Sequence, residues 1–550
     1  MSMPLGDVPP VDSWLRLGSR RAQLKTNRPQ TQHGSRHRQT LGRTIMAVAE
    51  SEVSSTAPQQ RHHVSVADSV FRGALANLSP QPLTWGASLL YAAFVPRFLG
   101  SEALGQLTIA FTITSLAAAV FDLGIVDYLT RRVARAPDRV QQDLGTALAV
   151  QLVTFTLGAL ALAALTPLLA PTLVDPRLLY MALIVLVVGC TQSLLSAVLR
   201  GREQHVLFAW LGATNPVIGT VGTVLFLLLT GADVIAYTVL GLILAIACIA
   251  FNWKVSGLRP RWPRLNRALL CEAREFARGG FPFLSWNLTM SIYNGVDRLL
   301  LGFFVPSAVL GWYAASYRII GIPVFIPSIL VAPLYPALSR SANEPDVLRR
   351  AISQTVRLAL LLTIPLSAGI CVIAPAVPKL LGWPADFAGA VPIMMVLSLQ
   401  VPVVAVDMLL GTVIMAIGHE RQWVRVGVIA AVVNVSFNLV GIPLLDRLTG
   451  NGAIGASLVT VLTELWMFFG ALVLIPKHLL DPHIFWSAAR IVLAALAAAV
   501  AAIALAPIAL AASAVAGAVT YCVAVIIFRV VALEDVSYVT RRLARRNRVA

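Results

Sequence analysis

Between about residue 74 and about residue 532 the chain keeps returning to apolar runs of 18 or more residues, each long enough to cross a hydrocarbon layer of roughly 30 Å as a helix. Inside lipid a backbone must satisfy its own hydrogen bonds, so only helices and closed barrels span a bilayer. Runs without a two-residue alternation exclude the barrel. Composition agrees: 57% of residues are hydrophobic, 13% are charged and the mean hydropathy is +0.77. A soluble globular fold is ruled out.

Bounding the runs by charges, Pro and Gly predicts fourteen spans, at 74–98, 104–128, 144–170, 178–200, 206–230, 233–253, 280–304, 308–336, 352–378, 388–416, 422–445, 452–475, 485–506 and 508–530. The formal net charge of +17 would suggest nucleic acid in a soluble domain, but here the loops that hold the basic residues decide its meaning. With the N-terminus inside, 37 of the 43 Lys and Arg fall on the cytoplasmic side. Only Arg97, Arg177, Lys379 and Arg447 fall opposite, and Arg298 and Arg318 lie within spans. That asymmetry tests the span count as well as the orientation, because one missed span would invert every later loop. Both termini are expected in the cytoplasm and no nucleic-acid partner is expected.

The predicted organisation is a disordered basic tail (1–73), a six-helix bundle (74–253), a cytoplasmic linker (254–279), a second six-helix bundle (280–476), two further transmembrane helices (477–532) and a basic tail (533–550). Residues 1–45 read either as a lipid-binding arm or as an over-long reading frame, since Met46 is a workable start; no apolar segment follows the tail's charges as a secretory signal would require. In the linker, Leu265, Leu269 and Phe276 alternate with Arg264, Arg267, Arg274 and Arg278 at helical spacing, which suits a helix lying on the membrane surface.

A weak internal repeat joins the bundles. Phe98 to Gly105 aligns without a gap on Phe304 to Gly311, at an offset of 206. Asn215 and Leu229-Thr230-Gly231 align on Asn434 and Leu448-Thr449-Gly450, at an offset of 219. Six spans is an even number, so the units are parallel repeats. Cys190, Cys248, Cys271, Cys371 and Cys522 form no CxxC pair, and no phosphate loop or zinc pattern occurs, so no cofactor or metal is expected. The predicted outer loops are too short to hold a catalytic domain, which argues against an enzyme.

A charge near the bilayer centre costs about 2.5 to 3.5 kcal/mol, so one that is retained needs a partner, a wet cavity or a ligand. Counted from the turn at Pro306-Ser307, Arg298 and Arg318 lie about 12 and 16 Å deep on adjacent helices. Asp297 points about 100° away from Arg298. Pairing Asp297 with one arginine leaves the other guanidinium for a bidentate phosphate contact; the competing reading is a closed ion pair stapling the hairpin. Asp122, Asp407 and Glu464 also fall within spans, as candidates for ion coupling or as protonated acids bonded between helices. Asp127, four residues before Arg131, reads as an interfacial salt bridge. Asn215, Asn434, Asn438 and Gln151 read as hydrogen bonds between helices or as a polar path. Trp312, Tyr313 and Trp383 read as interface anchors.

The stretch from Asn294-Gly-Val-Asp297-Arg298 through Gly311 to Tyr317-Arg318, followed by Leu334-Tyr-Pro-Ala-Leu-Ser-Arg340, resembles the polysaccharide and O-antigen flippases of the multidrug/oligosaccharidyl-lipid/polysaccharide exporter superfamily. So does Asn434-Val-Ser-Phe-Asn438 through Pro443, with Gly452-Ala-Ile-Gly455 after it; the likeness covers about 72–476. The resemblance implies paired six-helix bundles in a V, alternating access, and a cationic cavity accepting the diphosphate of a polyprenyl-linked oligosaccharide. Arg298 and Arg318 match its cationic positions. The implied setting is the bacterial cytoplasmic membrane, among membrane lipids, glycosyltransferases and a polysaccharide polymerase. Unlike lipid II flippases, the first two spans carry no mid-membrane arginine, which argues against lipid II as cargo. A cation-coupled drug exporter and a non-transporting scaffold are the competing functions.

Overall fold

The computed structural model describes residues 79–530, apart from 232, 265, 325–326, 329–337, 339–343 and 507–508, and apart from the side chains at 168–173, 268 and 510. The tails, Met46, Leu265 and most of the Leu334–Arg340 stretch therefore lie outside the described residues. The rest is helical: α1 Gln81–Phe121, α2 Ile125–Arg135, α3 Val140–Leu173, α4 Pro176–Gly201, α5 His205–Thr230, α6 Val234–Ser256, α7 Arg267–Phe304 and α8 Ser307–Val324. There follow α9 Pro345–Ile373, α10 Ala385–Ala416, α11 Glu420–Thr449, α12 Gly452–Leu474, α13 His483–Leu505 and α14 Leu510–Ile527. Among the described residues ten helical segments are long and apolar enough to cross a membrane. One of them, α1, is two rods joined at Gly100 (φ 77°), and the charged α7, α8 and the shorter α14 bring the rods to fourteen.

Local chemistry sets where these helices begin and end. Asp233 and Asn266 accept hydrogen bonds from the backbone N–H groups of Ala236 (2.9 Å) and Leu269 (3.1 Å), capping α6 and α7. The two Leu-Thr-Gly copies do one job: Gly231 and Gly450, at φ 58° and 68°, terminate α5 and α11 in the left-handed conformation that glycine adopts without strain. The second expected span, 104–128, ends earlier than its apolar run. Leu123 and Gly124, at φ 51° and 70°, break the helix, and α2 runs separately with Ile125, Leu129 and Val133 buried on one face and Arg131 and Arg135 exposed. The linker is helical from Arg267 and continues unbroken to Phe304; its Phe276 is fully buried, edge-on to Tyr128 and beneath Arg132.

Burial shows how the two halves meet. One hydrophobic cluster draws on both, from Val95, Leu104 and Leu178 of the first half to Leu301, Leu310, Phe387 and Ile442 of the second. At the end bearing the basic loops the cores are separate, with Ile125, Leu144, Leu195 and Leu199 in one and Leu348, Leu409 and Leu479 in the other. The halves thus share one core at the far end, and at the basic end α7 bridges them, with Phe276 in the first half's core and Gly280 pressed against Gly124.

Two glycines make the fusion tight. A Cβ on Gly105 would lie 1.8 Å from the Ser307 carbonyl oxygen, and one on Gly311 would lie 1.9 Å from that of Ser101. Helix backbones approach so closely only where a side chain is missing. These four residues are the ones paired by the offset of 206, and they contact one another reciprocally. Asp386 of α10 accepts hydrogen bonds from the Ser101 backbone N–H (3.1 Å) and hydroxyl, and Trp383 donates to the Ala92 carbonyl (2.8 Å).

The expectation that Tyr313 and Trp383 anchor the membrane interface is therefore overturned, while Trp312 stays partly exposed. Tyr313 is 0% and Trp383 6% exposed, and Trp312 lies across Gly389. At that depth the neighbours are protein, because the helical turns of both halves are pressed together there.

Candidate functional site: a cationic cavity between the halves

Helix α7 presents Asp297 and Arg298 to different surroundings, as adjacent positions on a helix must. Asp297 is buried: one carboxylate oxygen accepts from the Tyr313 hydroxyl on α8, and the other from the Arg298 backbone N–H (2.8 Å). The α7–α8 hairpin is stapled by that tyrosine–aspartate bond. The Arg298 guanidinium is left at the margin of the pair, with Nε 3.9 Å from Asp297, no hydrogen bond at Nε, and a third of the side chain exposed. It bonds back to the Asn294 carbonyl and leans over the Tyr317 ring, 5.4 Å from its centroid. Arg318 on α8 is exposed and stacks at 4.3 Å on Tyr91 of α1, a cation–π contact that aims it across the gap between the halves.

Both arginines line a cavity of about 830 Å³ walled by α1, α4, α5, α6, α7 and α8. A second cavity, of about 780 Å³, continues toward the basic end between α1, α2, α3, α4 and α7. Thr112, Ser115, Val185 and Arg298 belong to both walls, so Arg298 stands at the junction. Two cations in a cavity of this size are the electrostatic opposite of the lipid outside. A hydrated anion can occupy it, and bidentate contact to a phosphate needs only the exposed guanidinium edge.

The carboxylates fall in three places. Asp122, the C-cap of α1, accepts a hydrogen bond from Gln151 and lines the second cavity. Asp127 lines it too, and accepts from Asn287 of α7 (2.9 Å) rather than pairing with Arg131, so the expected salt bridge gives way to a contact between the halves. Nearby, Arg132 pairs with Asp143 (3.0 Å) and Glu275 (2.6 Å). Asp407 on α10 and Glu464 on α12 line neither cavity. Their carboxyl groups lie within hydrogen-bonding reach of each other, and the Tyr293 hydroxyl bonds Glu464 at 2.8 Å. Tyr293 sits one helical turn before Asp297 on α7, so this acid pair abuts the helix that carries Arg298. Asn434 and Asn438 bond to Thr463 and to each other within the second half, away from both cavities, while Asn215 lines the larger one.

Several residues of the site left no mark in the sequence. Arg200 lines the second cavity with its Nε unbonded, although its place at a span end made it one more basic-loop charge. Tyr91, Tyr237 and Tyr317 line the first, and nothing in their spacing distinguishes them from core aromatics. Among the described residues no group of three or more His, Cys, Asp or Glu stands close enough to hold a metal.

The family described as "Polysaccharide biosynthesis protein" matches residues 70–342. A Haloferax volcanii protein described as "Probable low-salt glycan biosynthesis flippase Agl15" is 22% identical over 69% of this chain and 77% of its own length. "Probable flippase AglR" of the same organism is 27% identical over 32% of this chain and 37% of its own. "Teichuronic acid biosynthesis protein TuaB" of Bacillus subtilis is 26% identical over 30% and 34%. Among solved structures, "Lipid II flippase MurJ, inward closed conformation" superposes with a TM-score of 0.66, at 16% identity, over 84% of this chain and 99% of that one. An inward-facing multidrug resistance MATE transporter gives 0.53, also at 16%, over 73% and 96%. Fourteen rods in this arrangement give the chain the fold of these solved transporters, and the sequence from the first rod through the α7–α8 hairpin is similar to the polysaccharide-biosynthesis family.

Proposed function

We propose that the protein moves a polyprenyl-diphosphate-linked oligosaccharide from the inner to the outer leaflet of a bacterial cytoplasmic membrane by alternating access, with Arg298 and Arg318 as ligands of the diphosphate. One observation carries the reading: two arginines line one cavity between the halves, while Asp297, the nearest acid, is engaged by Tyr313. A headgroup of sugars and phosphates needs such a route; the polyprenyl tail needs only lipid. The basic end, which the charge asymmetry assigns to the cytoplasm, is the side from which the headgroup would load. The step is translocation, with no catalytic residue. It falls after the glycosyltransferases that build the headgroup and before the polymerase that extends it. A membrane potential negative inside favours outward movement of each negative charge by about 2.3 kcal/mol per 100 mV. Asp407 and Glu464, abutting α7, supply a proton site to which the conformational cycle can be coupled, and Asp122 lines the loading vestibule.

Replacing Arg298 and Arg318 together by Ala in a polysaccharide-producing host should abolish surface polysaccharide and leave lipid-linked precursor on the inner leaflet, with the protein still folded in the membrane. Normal export by that variant would remove the arginines from the mechanism. A scaffold with a stapling ion pair predicts instead that exchanging the charges of Asp297 and Arg298 restores function. The Tyr313 bond to Asp297 makes that rescue fail. A cationic drug as cargo is disfavoured by the same two arginines.

A further inference from the structure

The wall of the larger cavity divides by chemistry along the boundary between the halves. Its charged groups, Arg298 and Arg318, both come from α7 and α8. Among the described residues the first half contributes no charge to this cavity, only hydroxyl, amide and aromatic groups among its apolar ones. The break in α5 falls in this neutral wall. Asn215–Gly219 is a single π turn around Pro216, and the Leu211 carbonyl on the turn before it is bonded by the buried Asn252 amide (3.0 Å). Irregular helix at membrane depth persists only where it is supported by protein and faces a cavity, and π turns concentrate at binding sites. Here Asn215, Gly219 and Thr220 face the cavity, with Thr223 one turn further on.

We propose that this neutral wall, centred on the π turn with Thr223 and Tyr237, is a subsite for the sugar attached to the diphosphate, and that it takes an uncharged sugar. The inference rests on the flippase reading of the same cavity. A sugar ring offers hydroxyl groups to donors and acceptors of the amide and hydroxyl kind, and an apolar face to aromatic rings, and it needs no counter-charge. A uronic acid would bring a carboxylate to a wall that holds no cation, and the arginines opposite are taken by the diphosphate. The headgroup then bridges the halves, its phosphates on the second and its first sugar on the first.

The test uses the purified full chain and three soluble probes: farnesyl diphosphate, and the same compound bearing N-acetylglucosamine or glucuronic acid. Affinities are measured by titration calorimetry. The N-acetylglucosamine probe should bind about ten-fold more tightly than the bare diphosphate, the worth of one or two added hydrogen bonds. The glucuronic acid probe should show no such gain. Asn215→Leu with Thr223→Val should bring the ten-fold ratio to near one. Arg318→Gln should weaken all probes and keep the ratio. Equal binding of the sugar-bearing and bare probes by the unaltered protein overturns the subsite, as does a ratio that survives the double substitution or a gain from glucuronic acid as large as from N-acetylglucosamine. No binding of farnesyl diphosphate at all would be a different result, removing the flippase reading itself.

Discussion

The crossing of Gly105 and Gly311 with Ser307 and Ser101 should act as the seal of the far end, and its strength can be set by single methyl groups. In Gly311→Ala the new Cβ would lie 1.9 Å from the Ser101 carbonyl oxygen, where ordinary contact begins at 3.4 Å, so the helices must part by about 1.5 Å. Overpacking of this kind costs typically ~1–3 kcal/mol. The better helix propensity of Ala cancels as long as α8 stays helical when the far end opens. The strain falls only on the state in which the far end is shut. At about 2 kcal/mol it shifts the balance roughly 30-fold, raising an outward-open state populated at ~1% to ~20%. The assay is labelling of a single cysteine at Thr108, on the cavity wall, by a membrane-impermeant maleimide added outside intact cells, with the five native cysteines replaced. Gly311→Ala and Gly105→Ala should each speed labelling by an order of magnitude or more. If both variants fold, by their thermal unfolding, and label at the parent rate, the crossing is not a gate.

Three further outcomes are expected. Tyr313→Phe leaves the buried Asp297 without its hydroxyl donor, a loss of about 1–3 kcal/mol read as a lower Tm in detergent; an unchanged Tm would show that Asp297 does not depend on that bond. Glu464→Gln should uncouple transport from an imposed proton gradient while leaving diphosphate binding in place, measured in proteoliposomes with and without the gradient; full gradient dependence in the variant would take Glu464 out of the coupling. Asp386→Asn weakens the bonds that Ser101 donates to a carboxylate, so it should raise outside labelling at Thr108 by a smaller factor than Gly311→Ala, and the reverse ranking would assign the seal to this latch instead.

The sequence by itself determined the number of rods, because it follows from a one-dimensional quantity, the length of an apolar run against a fixed hydrocarbon thickness. The rise of a helix from a turn singled out Arg298 and Arg318, since a charge at the depth it predicts is costly whatever surrounds it. Partners were not legible. Asp297 reads as the mate of an arginine on charge alone, yet Tyr313, sixteen residues on, takes it, since packing of α7 on α8 decides which polar atom arrives first. Asp127 likewise meets Asn287 rather than its neighbour in sequence. Arg200 changed from a loop charge to a cavity wall, and Trp383 from an interface anchor to buried protein, only when two halves far apart in sequence were brought together. Insertion energetics act on each helix separately and are written residue by residue; contacts between helices depend on which small residues let backbones meet, and that is settled only in three dimensions.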